Sequence, residues 1–251
     1  RMDKYSEILS SFGTQETLNP QIWDDVESDE PKLKPQIRKA LLMIAGEFMD
    51  FLGDDLFVDD VRFTGSLANY NWSKFSDIDL HLYVDFSQFD VEDVEVYKEL
   101  FQLKKTLFNT THNITVKGYD VELYAEDIDE SHFSTGVYSV MFDTWVHKPE
   151  KENVKIDKEM LLSKANSMMS KIDNAIEDSK SDNYEKAVKH IDSFKEKLKK
   201  YRSSGLEKDG EFSYENLVFK FLRRNGYIDK LFNFKNKLMD KNLSIENTDV
   251  E

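Results

Sequence analysis

The stretch Gly65–Val84, GSLANYNWSKFSDIDLHLYV, decides how the chain is read. From Asp77 onward it has period two, with Ile78, Leu80, Leu82 and Val84 on one face and Asp77, Asp79, His81 and Tyr83 on the other. That alternation predicts a strand with one face in the core and one polar. Two carboxylates separated by a single residue point the same way from a strand. Apolar packing does not call for this, and left unpaired the two charges repel. A divalent cation relieves the repulsion, and ligands that are all oxygen select magnesium or manganese over zinc. Gly65 permits close backbone approach, and Ser66 at the mouth of the following turn offers a hydroxyl and amides to a phosphate. The stretch therefore pairs a grip for an anion with a holder for a cation.

Outward from it, Val61–Phe63 reads as a short strand that runs into Gly65. From Pro35, Ile37, Leu41, Ile44, Ala45, Phe48 and Leu52 recur at helical spacing and stop near Gly53. Residues 3–12 carry a short apolar pattern, and LNPQIWDD (residues 18–25) reads as a turn or short helix anchored by Trp23. A helix is predicted over about residues 91–109. ITVKGYDVELYA (114–125) then reads as two strands about a Lys117-Gly118 turn, with Asp120, Glu122 and Tyr124 on one face of the second. A third carboxylate from that strand, Glu122 or Asp120, would allow two metal ions about 3.5 to 4 Å apart. The segment Ser131–Trp145 carries polar and aromatic residues suited to a base or acceptor pocket, or to an edge hairpin with Tyr138 and Trp145 in the core.

Beyond about residue 150 the pattern is helical. Leu161, Ala165, Met168, Ile172 and Ile176 form one stripe, Val188, Ile191, Phe194, Leu198 and Tyr201 another, and Ser213 is placed to cap a third helix. The expected fold is α+β: a mixed β-sheet with flanking helices over residues 1–150, and an α-helical domain over 151–251 closing a ligand cleft.

With 251 residues and 39% hydrophobic content the chain can bury a core, and without cysteine it uses neither disulfides nor thiolate chemistry. No apolar run reaches the length of a membrane span and no signal peptide is evident, so a soluble, intracellular, cytoplasmic protein with no membrane partner is expected. The net charge of −15 divides into −17 before residue 151 and +2 after it. An acidic first domain does not favour a broad nucleic-acid surface.

The Gly-Ser pair, ten intervening residues, and Asp-Ile-Asp leading into an apolar strand resemble the signature of the DNA polymerase beta-like nucleotidyltransferase superfamily. The resemblance covers about residues 57–125. It implies that Asp77 and Asp79 hold two Mg2+ or Mn2+ ions, that a third acidic residue activates an acceptor hydroxyl, and that Gly65 and Ser66 contact a nucleoside triphosphate, ATP being the expected one. Within VELYAED the family's acidic residue flanked by apolar ones fits Glu122 better than Asp120. Two departures are Tyr70, where many members carry glycine, and a glutamate as third carboxylate. The implied reaction moves a nucleoside monophosphate to a hydroxyl of a nucleotide, small molecule, protein or RNA end and releases pyrophosphate. The competing readings are a nucleotide-binding module without chemistry and a pyrophosphotransferase of the ppGpp-synthetase kind. Lys74 lies in the loop within reach of a phosphate, His81 shares the polar face as a residue behind the ligands, and the basic runs KEKLKKYR and FLRR lie on predicted helices.

Overall fold

The computed structural model describes residues 3–53, 55–130 and 135–245. The fold is α+β, and the chain divides into two compact units. One runs from Gly13 to Asn153; the other joins the residues up to Phe12 to those from Val154 onward.

In the first unit, strands β1 (Trp23–Asp24) and β2 (Lys32–Leu33) form a small antiparallel pair. Trp23 therefore sits on a strand, not in the turn or short helix expected of LNPQIWDD, and its indole is buried against Phe63 and Tyr138. Helix α2 (Pro35–Leu52) begins with proline, whose fixed φ and missing N–H suit the first turn. Strands β3 (Val58–Thr64) and β4 (Ile78–Val84) follow, then α3 (Val94–Thr111), β5 (Thr115–Val116), β6 (Tyr119–Asp127), β7 (Val137–Ser139) and β8 (Thr144–His147). These six strands form one sheet in the order β5-β6-β4-β3-β7-β8. All neighbours are antiparallel except β4 and β6, which α3 joins by a crossover and which run parallel.

Ile78, Leu80, Leu82 and Val84 are all buried, as the alternation predicts, together with Val121 and Leu123 of β6. They pack with Ile37, Leu41 and Phe48 of α2 and Phe101 and Phe108 of α3 into one core. Helices cover that face because two strands alternate in phase beneath them. Tyr83, on the polar face, is nevertheless buried at 2% exposure. The tight turn between β5 and β6 has positive φ at both Lys117 (53°) and Gly118 (83°), as a two-residue hairpin requires. β7 and β8 form the edge hairpin with Tyr138 buried, while residues 131–134 of the Ser131–Trp145 segment lie outside the described residues.

The second unit holds α1 (Lys4–Ser10), α4 (Lys158–Lys180), α5 (Tyr184–Asp209), α6 (Tyr214–Arg224) and α7 (Tyr227–Leu243). Residues 3–12, assigned to the sheet domain from sequence, belong here: Ile8 is fully buried, and Tyr5 packs edge-on to Phe221 of α6 at 5.5 Å. In α4 Met169 takes the core position expected of Met168, because steps of four, three and four from Ala165 through Ile172 to Ile176 track the helix better. Ser213 caps α6 by accepting the Asn216 N–H at 3.2 Å. Among the described residues no helix is long and apolar enough to cross a membrane.

Candidate functional site

β3 ends at Thr64, which lies in register with Asp79 of β4. The next residue, Gly65, has φ 85°, and a Cβ there would sit 2.2 Å from Asp79 Oδ2. Conformation and space thus both demand glycine where the backbone passes the Asp79 carboxylate. A single 3-10 turn, Ser66–Ala68, follows with Leu67 and Ala68 fully buried. The turn is tied down by side chains: Trp23 Nε1 donates to the Leu67 carbonyl at 2.8 Å, and Asn69 Nδ2 donates to the Gly65 carbonyl at 2.6 Å. Asn69 Oδ1 accepts the Gly136 N–H at 2.6 Å, which links the turn to the start of β7.

Across the loop, Ser66 Oγ donates to Ser76 Oγ at 2.6 Å, and Ser76 Oγ also accepts the Ser73 N–H at 2.9 Å. The two ends of the loop are pinned together, so the Gly-Ser pair and the aspartates are presented as one rigid piece. The Ser66 hydroxyl is spent on that bond, which leaves its oxygen as the partner for anything that approaches. Lys74 is exposed at the loop tip, its ammonium 5.2 Å from the Phe75 ring centroid.

Asp77 immediately precedes β4 and Asp79 lies within it. The parallel register sets Asp79 beside Glu122 and Ile78 beside Val121, so the two carboxylates occupy neighbouring strands about 4.8 Å apart. Asp77, Asp79 and Glu122 are all half-buried. Asp120 is exposed and pairs with Thr115 on the short edge strand. Of the two candidates for third carboxylate, Glu122 is the one aligned with Asp79.

Glu122 Oε2 accepts a 2.7 Å hydrogen bond from the Tyr124 hydroxyl, two residues along the same strand. Burial, then the Asp79 charge and the Glu122 carboxylate, with Asp77 adding to them, push the Tyr124 hydroxyl far above its usual range. Tyr124 therefore stays protonated and donates to Glu122. The three carboxylates are the right donors for a hard cation, with no nitrogen or sulfur among them. Among the described residues, however, no group of three or more His, Cys, Asp or Glu side chains is arranged to hold a metal ion. The donor chemistry fits, and Glu122 is engaged elsewhere.

The polar face continues away from these carboxylates as a cross-strand network that alternation alone does not disclose. His81 Nδ1 bonds Glu126, and the His81 ring stacks on Tyr124 at 4.5 Å and 12°. Burial raises the Glu126 carboxyl, but its bonds to His81 and Tyr83 outweigh it and leave the group below its usual value. Burial and the Glu126 charge push Tyr83 up to about 12, against the opposing pull of Arg62. Arg62 lies 4.8 Å over the Tyr83 ring and donates to Asp60 at 2.8 Å, and the buried Asp60 also accepts from Ser139 at 2.7 Å. His81 thus supports Tyr124 from the side. Glu126, Arg62 and Asn69 are members of this surface that the sequence did not point to, and Tyr124 was placed on the face without a role. The signal for Tyr124 and Glu126 was phase: positions 122, 124 and 126 match 79, 81 and 83 once β4 and β6 are known to be neighbours.

Two of the basic residues noted on the helices, Arg202 and Arg224, and the neighbouring Lys220 have partners within their own unit. Lys220 lies 3.3 Å from Glu211, Arg202 Nε donates to Asn216 at 3.2 Å, and Arg224 donates to Ser11 at 2.8 Å. Comparison with protein-family models, with curated proteins and with solved structures finds no match to this chain.

Proposed function

We propose that the chain is a metal-dependent nucleotidyltransferase that moves a nucleoside monophosphate from a triphosphate, ATP first, to a hydroxyl acceptor and releases pyrophosphate. The observation that carries this reading is the convergence of three chain segments on one point: Gly65 at the end of β3 clears space for Asp79, and Glu122 stands beside Asp79 on the parallel neighbour. Asp77, Asp79 and Glu122 would hold magnesium or manganese, which when bound neutralises phosphate charge and orients the reacting oxygens. Backbone amides at Gly65 and Ser66 bind the triphosphate and orient it in line with the acceptor. The acceptor oxygen bonds to the α-phosphorus as the bond to the bridging oxygen breaks, and Glu122 takes the hydroxyl proton. Lys74, exposed in the loop, offers a positive charge to the departing pyrophosphate.

A second reading, a nucleotide-binding module without chemistry, is favoured by the engagement of Glu122 with Tyr124 and by the absence, among the described residues, of a three-ligand group. One experiment separates them. The chain is incubated with each α-labelled triphosphate and Mg2+ or Mn2+, with nucleotide, protein and RNA acceptors, and both pyrophosphate and labelled product are measured. Transfer that disappears in Asp79→Asn supports the enzyme. Triphosphate binding with no pyrophosphate release supports the module, and neither binding nor release overturns both.

A further inference from the structure

In the helical unit, the seam between α5 and α7 is not filled by side chains. A cavity of about 350 Å3 opens there, within the range of small-molecule sites and larger than the voids that packed bundles leave. Its floor is apolar, formed by Leu198, Ile228 and Leu231, each under a tenth exposed. Its rim on α5 is basic: Lys195, Lys199 and Arg202 fall at steps of four and three, on the same side of the helix as Leu198. Two of these cations are held in place by aromatic walls. Lys195 Nζ lies 3.9 Å over the Phe232 ring centroid, and Arg202 Cζ lies 4.4 Å over that of Phe219.

Burial works against two of these charges and outweighs their acidic neighbours, Asp192 and Glu196 at Lys195 and Glu211 at Arg202. Burial and the neighbouring Lys235 hold the Lys195 ammonium below its usual value, and burial and Arg223 act likewise on Arg202. Glu196 also lines the cavity, so the rim carries three cations to one anion. A neutral apolar ligand would leave the excess charge uncompensated, and a small inorganic anion would leave the apolar floor wet.

We propose that this cavity is a binding site for an amphipathic organic anion, an acidic head on an aliphatic body, with the head on Lys195, Lys199 and Arg202 and the body on Leu198, Ile228 and Leu231. At roughly 30 Å3 per water-sized group the cavity takes about a dozen non-hydrogen atoms, the size of decanoate.

The test is calorimetric titration of the 251-residue chain with decanoate and with decanol, its uncharged counterpart, and localisation of each by amide chemical shifts. One equivalent of decanoate is expected to bind, with shifts centred on Leu198, Ile228 and Leu231, and more tightly than decanol. In Lys195→Gln/Lys199→Gln, both exchanges lying on the rim, decanoate should bind about tenfold more weakly while decanol changes little. Ser203→Trp, from an exposed position on the lip, should block both ligands by filling the cavity. Absence of saturable decanoate binding up to about 1 mM, shifts centred elsewhere, or equal affinity for decanoate in the native chain and the double variant overturns the site.

Discussion

At the scale of single residues the site is defined by what sits beside Asp79. Gly65 is required twice over, by its positive φ and by the 2.2 Å approach that a Cβ would make to Asp79 Oδ2. Gly65→Ala is therefore expected to cost about 1 to 3 kcal/mol in denaturant unfolding and to displace the carboxylate, so that the proposed transfer falls even where the chain still folds. The register makes a sharper statement about the third carboxylate. Glu122→Gln should lower transfer by about a hundredfold or more with the melting temperature little changed, because Glu122 is half-buried and its Tyr124 partner can donate to the amide oxygen. Asp120→Asn, exposed and paired with Thr115, should leave turnover within about twofold, as a substitution remote from the reacting groups does. The opposite ranking in the same assay would move the base one strand step toward the hairpin.

At the scale of elements, strands and helices are held by different devices. Across the sheet, Glu126 is bonded by His81 and Tyr83, and its carboxyl lies below its usual 4.5. A depressed carboxylate adds stability above its unfolded value and loses it as pH falls through the folded one. The melting-temperature gap between the native chain and Glu126→Gln should thus be open above about pH 4.5 and close as the pH drops below it; a gap that persists at about pH 3 would contradict the network. In the helical unit, Ser213→Ala removes the cap of α6 and should cost about 1 kcal/mol. Gly205→Ala should cost more, about 1 to 3 kcal/mol, because a Cβ on α5 would lie 2.5 Å from Glu215 Cβ and 2.7 Å from Ser213 Oγ of the α6 start. Urea unfolding followed by circular dichroism ranks the two; a milder Gly205→Ala would mean the helices separate freely at that point.

At the scale of the whole molecule the dominant field is negative, with a net charge of −15. Burial, followed by the charges of Asp85, Asp129, Asp127 and Asp60, raises the Asp59 carboxyl, so this corner of the sheet unit is repulsive when ionised. Raising sodium chloride from about 0.01 to 0.5 M shortens the screening length from about 30 Å to about 4 Å, and the melting temperature should rise by a few degrees as self-repulsion weakens. A fall over that range would mean that surface ion pairs outweigh repulsion.

Local periodicity alone determined that Ile78 to Val84 is a half-buried strand, that Pro35 opens a helix, that Lys117-Gly118 turns a hairpin and that Ser213 caps α6, because each depends on neighbours a few residues away. It placed Asp77 and Asp79 on one face for the same reason. Tertiary structure alone decided that β6 runs parallel to β4 with Glu122 beside Asp79, since strand order depends on a crossover through α3 that no local pattern encodes. It also decided that Trp23 joins a strand, that residues 3–12 pack with the distant helices, and that the Tyr124 hydroxyl donates to Glu122. Burial follows from which surfaces meet, and those surfaces lie tens to hundreds of residues apart along the chain.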